Sequence, residues 1–265
     1  MANSTEFTDR KFVVTTSRRA NPAIRTQARQ KAEAWELPYV ERHEASMENS
    51  VGEADAIFVF DHDGLSLTKG NSRLRFNLGT AALRLKAIDR GEPDTLVRAG
   101  ELQAGDEVLD ATIGLGRDSL VAAHVVGLTG SVVGLESSWP LFKLLKEGFS
   151  EHDLADRSAT VQPVFGDSRK FLAETKNGSF DVVILDPMFN YPKRSDGSFE
   201  ILREFAHHTA LDPEWIQLAR RAAKRWVVLK ADKAQPWFNS EKLERIHSGG
   251  RVEWYRAPPA SQKSE

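Results

Sequence analysis

The sequence predicts an α/β protein: a doubly wound, mostly parallel sheet in its C-terminal two-thirds, preceded by a small α/β domain. Three observations lead there. From about residue 94 onward, strand-like and helix-like segments alternate regularly, the pattern of a parallel sheet with crossover helices. Val-Val-Gly-Leu-Glu136, Asp-Val-Val-Ile-Leu-Asp186 and Trp-Val-Val-Leu-Lys230 are nearly continuous apolar runs, as strands covered by helices on both faces should be. A glycine-bearing turn, Asp110-Ala-Thr-Ile-Gly114-Leu-Gly116-Arg-Asp118, joins the first of these strands to a helix.

The elements follow in order. Residues 12–16 form a short apolar strand, and Ser17 or Asn21 can cap a helix that Pro22 opens at its first turn and that runs to about residue 36. A second strand is expected at 39–41. Residues 56–60 and 65–68 flank Asp61-His62-Asp63-Gly64, a hairpin signal because Asp and Gly tolerate the positive φ of tight turns. A strand at 73–76 leads into an amphipathic helix at 80–89. The regular half then supplies strands at 107–111, 131–136, 160–165, 180–186, 225–230 and 251–256, with helices from Asp118 and over 139–149. We expect a domain boundary near residue 92, a second domain over 93–258 and a loose tail at 259–265. His207-His208 is expected on a helix, and none of the seven histidines shows metal-ligand spacing, so no metal is expected.

Composition narrows the function classes. The chain has 265 residues, 28% of them charged, with a formal net charge of -2 and no cysteine. Disulfides, zinc-thiolate sites and iron–sulfur clusters are thereby excluded. No apolar run reaches the ~18 residues of a membrane span, and the N-terminus lacks the apolar middle of a secretory signal, so a cytoplasmic address is expected. The charge is unevenly spread. Residues 1–31 carry seven basic and two acidic side chains, residues 100–190 seven and fourteen, and residues 191–256 thirteen and nine. An acidic centre between basic flanks suits a cationic cofactor and a polyanionic partner, although differing solvated helix faces produce the same tally.

Ligands of doubly wound sheets sit beyond the carboxyl ends of the strands, so the polar residues there carry the functional argument. The glycines of the 110–118 turn let the backbone approach a ligand, and Thr112, Arg117 and Asp118 share that turn. A dinucleotide fingerprint would continue with a third glycine; Ser119 stands there instead. Asp110 would repel a pyrophosphate but would suit the ammonium of a methionyl group. Glu136, followed by Ser137, can accept both hydroxyls of an adenosine ribose. Asp167, followed by Ser168, is placed to accept from an adenine amino group, or merely to cap a helix. Three acids on successive strand ends, in this order, indicate S-adenosylmethionine. Asp186-Pro187-Met188-Phe189 ends the next strand, and Lys230 the one after. Asp186 could again be a cap, with Met188 and Phe189 in the core.

These motifs resemble those of class I methyltransferases, and Asp-Pro-Met-Phe is similar to the Asp/Asn-Pro-Pro-Phe/Tyr signature of amine-methylating enzymes. Over residues 70–256 the pattern resembles the RsmJ family, guanine-N2 methyltransferases of small-subunit (16S) ribosomal RNA, and its YpiP-like relatives. It is carried by Arg73-Leu-Arg75-Phe76, the 110–118 turn, Leu-Asp-Pro-Met-Phe189, Val-Val-Leu-Lys230 and Arg251-Val-Glu-Trp-Tyr255; the opening Val-Thr-Thr-Ser-Arg-Arg19 is similar to the YpiP-like branch. The resemblance implies a Rossmann-like, seven-stranded catalytic domain and an RNA substrate. Two departures stand out: Asn190-Tyr191-Pro192 replaces the Pro-His that usually follows, and Met188 replaces the second proline.

For such chemistry Asp186 and the Pro187 carbonyl would orient an exocyclic amine, and Phe189 would stack on the base. Arg18, Arg19, Arg73, Arg75, Met188, Lys193, Arg194 and Lys230 are the candidate substrate-binding residues, and ribosomal RNA or the small ribosomal subunit is the expected partner. A DNA or small-molecule amine methyltransferase is an alternative. So is a non-catalytic RNA-binding or ribosome-assembly protein of the same fold, which the Asp186–Phe189 pair argues against.

Overall fold

The computed structural model describes residues 10–42, 54–151, 158–188, 197–232, 243–249 and 252–260. The strands are β1 (Phe12–Thr16), β2 (Ala56–Asp61), β3 (Gly64–Lys69), β4 (Ser72–Arg75), β5 (Glu107–Asp110), β6 (Ser131–Glu136), β7 (Val161–Phe165), β8 (Phe180–Leu185), β9 (Ala223–Asp232), β10 (Glu244–Gly249) and β11 (Val252–Ala257). The helices are α1 (Pro22–Ala34), α2 (Thr80–Asp89), α3 (Thr95–Gly100), α4 (Arg117–Val126), α5 (Trp139–Glu151), α6 (Ser168–Glu174), α7 (Gly197–Phe205) and α8 (Pro213–Ala222).

The chain divides into two compact units. The first comprises residues 1–77 together with 139–152 and 192–205, so α5 and α7 complete it from far along the sequence. Its sheet runs β1-β2-β3-β4, with β1 and β2 parallel and the rest antiparallel. Asn21 caps α1 by accepting from the Ile24 N–H at 2.9 Å, and Pro22 fills the first turn as the sequence indicates. β1 is buried along its whole length because both faces are covered. Phe12, Trp35, Phe58, Trp139 and Phe205 form an aromatic cluster on one face. Val13, Ile57 and Val59 pack on the other. The strand expected at 39–41 reduces to a single parallel bridge, Val14 to Tyr39, because Pro38 has no N–H for a ladder. The boundary expected near residue 92 falls instead after residue 77, and α2 and α3 go with the second unit.

That unit holds a seven-stranded sheet in the order β10-β11-β9-β8-β5-β6-β7. β7, β6, β5, β8 and β9 are parallel, and β11 and β10 are antiparallel. Alternation along β8 shows why its run is continuously apolar. Val183 and Leu185 join the cluster formed with Leu172, Trp215, Ile216 and Ala219 of α6 and α8. Val182 points the opposite way, where a Cβ on Gly100 of α3 would meet it at 3.2 Å. Helices α3, α7 and α8 and strand β10 escaped the sequence analysis. Asp94 and Asp212 cap α3 and α8, and both were legible as Asp before an apolar run. His207 and His208 lie beyond the end of α7, not on a helix: Phe205 is buried in the first unit's core and the chain leaves the helix there.

Candidate active site

Strand order reverses between β5 and β8, and the crevice there is built from their ends. Asp110 is the last residue of β5, registered beside Gly134 of β6 and Ile184 of β8. Two residues past that level on β8 stands Asp186, whose backbone N–H donates to Thr112 Oγ1 at 2.6 Å. The turn itself needs its glycines: Gly114 and Gly116 adopt φ of +53° and +73°, a region L side chains rarely enter.

Two carboxylates, Asp110 at the start of this turn and Glu136 at the end of β6, are buried and have no salt-bridging cation among the described residues. Asp110 accepts from Ser119 Oγ at 2.6 Å and from the Thr112 N–H at 3.2 Å. Glu136 accepts from the Ser138 N–H at 2.7 Å, and the Gly114 and Ser137 N–H groups also face it. Burial outweighs these donors and pushes both carboxyls up to about 7. Ser138 Oγ, two residues after Glu136, is buried without a partner among the described residues. A buried, unpaired acid at the end of β5, another at the end of β6 and an unsatisfied hydroxyl form a polar cradle that fits an ammonium-and-ribose ligand.

A second network holds Asp186. Lys230 Nζ donates to Asp186 Oδ2 at 2.7 Å and also to Asp118, and its ammonium lies 4.5 Å from the centre of the Trp254 ring. Arg84 Nη1 bonds Asp118 at 2.6 Å, while its Nε and Nη2 hold Asp94 at 2.8 and 2.9 Å. Burial alone would raise Asp118, but Lys230 and Arg84 hold it below the ordinary carboxylate range. Asp186 is shifted upward, by burial first and by Asp118 in addition, against the pull of Lys230. Lys230 stays protonated because its two carboxylates outweigh its desolvation.

Among the expected site residues, the structure gathers Asp110, Thr112, Gly114, Glu136, Asp118, Asp186 and Lys230. Asp118 and Lys230, expected to meet cofactor and substrate, are engaged with each other. Asp167 is exposed and caps α6 through the Lys170 N–H at 3.0 Å. Ser168 is buried behind it, and Arg117 keeps a buried Nε without a partner among the described residues. Arg18, Arg19, Arg73 and Arg75 belong to the first unit. Phe189, Lys193 and Arg194 lie outside the described residues; Pro187 is buried and Met188 half-buried. Sequence reasoning missed Arg84, Asp94 and Ser119. Only Asp94 carried a signal, as a cap; the other two acquire partners from separate elements.

The sheet order and the acidic strand ends define a class I, Rossmann-like methyltransferase. Residues 40–252 match the family described as "Putative SAM-dependent methyltransferase", and the chain belongs to that family of S-adenosylmethionine-dependent enzymes. It is 31% identical over 233 residues to the uncharacterized protein YpiP of Bacillus subtilis (strain 168), a match covering 85% of this chain and 91% of that one. It is 32% identical over 208 residues to the ribosomal RNA small subunit methyltransferase J of Thioalkalivibrio sulfidiphilus (strain HL-EbGR7), covering 72% and 80%. The crystal structure of a SAM-dependent methyltransferase from Neisseria gonorrhoeae superimposes with a TM-score of 0.61 over 95% of this chain and 97% of that one, at 20% identity, a likeness of fold. No helix among the described residues is long and apolar enough to cross a membrane, and no cluster of metal-ligating side chains occurs among them.

Proposed function

We propose that the protein methylates the exocyclic amine of a guanine, N2, in small-subunit ribosomal RNA. The observation that carries this reading is Asp186: a partly exposed carboxylate at the strand switch, adjacent to the cofactor cradle, fixed by Lys230 and followed by Pro187. The similarity to ribosomal RNA small subunit methyltransferases J supports RNA as the substrate.

In this reading Asp110 takes the ammonium of S-adenosylmethionine, Glu136 its ribose hydroxyls and Asp167 its adenine amino group. The cofactor supplies an electrophilic methyl on a sulfonium. A guanine amine is a poor nucleophile because its lone pair is conjugated with the ring. Asp186 Oδ1 and the Pro187 carbonyl accept its two N–H bonds and direct the lone pair at the methyl, while Phe189 stacks on the base. Positive charge would grow on the nitrogen as its bond to the methyl carbon formed and the carbon–sulfur bond broke to release S-adenosylhomocysteine; the same acceptors would stabilise that charge until the nitrogen gave up a proton to solvent. Asp186→Ala should therefore cut kcat by about 10²-fold or more, the scale of losing one transition-state partner. Its affinity for S-adenosylhomocysteine should stay close to wild type. Unaltered turnover with labelled cofactor and ribosomal RNA would remove Asp186 from the reaction.

A further inference from the structure

The first unit contains a cavity of about 470 Å³ between the tip of the β2–β3 hairpin and the segment after β1. It is lined by Ser17, Arg18, Arg19, Arg42, Asp61 and His62, with Asp63 beside them. His62 Nε2 lies 3.1 Å from the Arg19 carbonyl oxygen, a contact that ties the hairpin to this segment.

Among the described residues, cations outnumber acids here. Asp61 is already engaged: Arg73 Nη2 reaches it at 2.5 Å, Arg75 Nη2 at 2.7 and 2.8 Å, and the Asp63 N–H at 2.9 Å. Arg73 and Arg75 hold its carboxyl below the ordinary range although burial opposes them. Among the described residues, three arginines, Arg18, Arg19 and Arg42, line the cavity with Asp61 and Asp63, and Arg73 and Arg75 already pair with Asp61. Arg42 Nε and Arg75 Nη1 are buried with no hydrogen-bond partner among the described residues. Burial, with Arg18 and Arg73 nearby, pulls the Arg42 guanidinium below its ordinary value. A buried donor on a cation is costly to leave unmade, and an anion in the cavity that Arg42 lines satisfies that deficit and offsets the like charge of Arg18.

The donors also suggest which anion. A guanidinium offers parallel N–H groups matched to two oxygens of a phosphate, and the volume lies in the ~300–1,000 Å³ range of small-molecule sites, so it admits a phosphate with its attached sugar. We propose that this pocket binds a backbone phosphate of the RNA substrate, with Arg42 and Arg18 as its principal ligands. The choice of RNA rests on the functional reading above; the phosphate chemistry does not.

The full-length protein and its Arg42→Gln variant are titrated with inorganic phosphate against chloride at equal ionic strength, with thermal unfolding as the readout. Stabilisation of each by S-adenosylhomocysteine serves as the check on folding. Phosphate should raise the Tm of the wild type and have a much smaller effect on Arg42→Gln. Equal responses overturn the pocket. In a second arm, binding of a ribosomal RNA fragment is followed against salt. Arg42→Gln should lower the slope of log K against log salt by about 0.7, the value for one phosphate contact on a single strand. Loss of the phosphate response with an unchanged RNA slope overturns RNA as the source of the phosphate. A loss in both arms, in a protein that methylates no RNA, would retain the pocket and reject the proposed reaction.

Discussion

A carboxylate buried without a cation prefers its proton, and that preference ties Asp110 and Glu136 to pH. Both are pushed up to about 7 in the free protein, chiefly by burial. Because the folded-state values lie above the ordinary carboxylate range, these groups favour folding most at low pH, and their contribution is lost as pH rises through 7. Cofactor binding runs the other way, since an ammonium and ribose hydroxyls are best accepted by ionised acids. The affinity for S-adenosylhomocysteine should rise about fivefold per group between pH 6 and 7, about tenfold by pH 8, and level off above that, with protons released on binding. Calorimetry in buffers of different ionisation enthalpy measures both; a pH-independent affinity would remove these two acids from the cradle. Lys230 presents the converse case. Its ammonium opposes the upward shift of Asp186, so Lys230→Met should move the acidic limb of the kcat/KM profile to higher pH and restore activity in part at alkaline pH. A uniform loss at every pH would assign Lys230 a packing role. The acids of the site were legible in the sequence because each ends an apolar strand. Their partners were not: Lys230 and Asp118 look like a substrate ligand and a turn residue until the fold brings β9 and α4 together.

Elements were legible in proportion to how local their causes are. α1, α2 and β6 follow from caps, proline placement and apolar runs within their own residues, and the structure places them with little change. α7 and β10 depend on what they pack against or pair with. α5 illustrates the same limit: its sequence reads as one more crossover helix, yet it completes the first unit. Gly148 is the reason it fits there, since a Cβ at that position would lie 2.1 Å from a Phe76 ring carbon. Replacing a helical glycine by alanine ordinarily gains up to ~1 kcal/mol. Here overpacking, at about 1–3 kcal/mol, should prevail, because Phe76 is buried and packs on Phe149. Gly148→Ala should therefore lower the Tm; an unchanged or higher Tm would show that Phe76 can move aside.

At the scale of the whole molecule, the chain combines a unit that holds the acidic strand ends of the doubly wound sheet with a first unit in which arginines outnumber acids, among the described residues, around one cavity. The charge asymmetry read along the sequence does not follow these units, and it could not show that Arg73 and Arg75 pair with Asp61 or that Arg42 lines the same cavity. Domain composition was the least legible feature, because two helices joining the first unit are separated from its first segment by long stretches of the other unit. The central claim concerns the product: a methyl group on guanine N2 of small-subunit ribosomal RNA, placed there through Asp186. The most direct measurement incubates the protein with labelled S-adenosylmethionine and unmodified ribosomal RNA, then digests the RNA to nucleosides and identifies the labelled one. N2-methylguanosine as the labelled product, formed more slowly by about 10²-fold or more with Asp186→Ala and absent from DNA of the same sequence, is the predicted result. Label on another nucleoside, or equal labelling of the DNA, would contradict it.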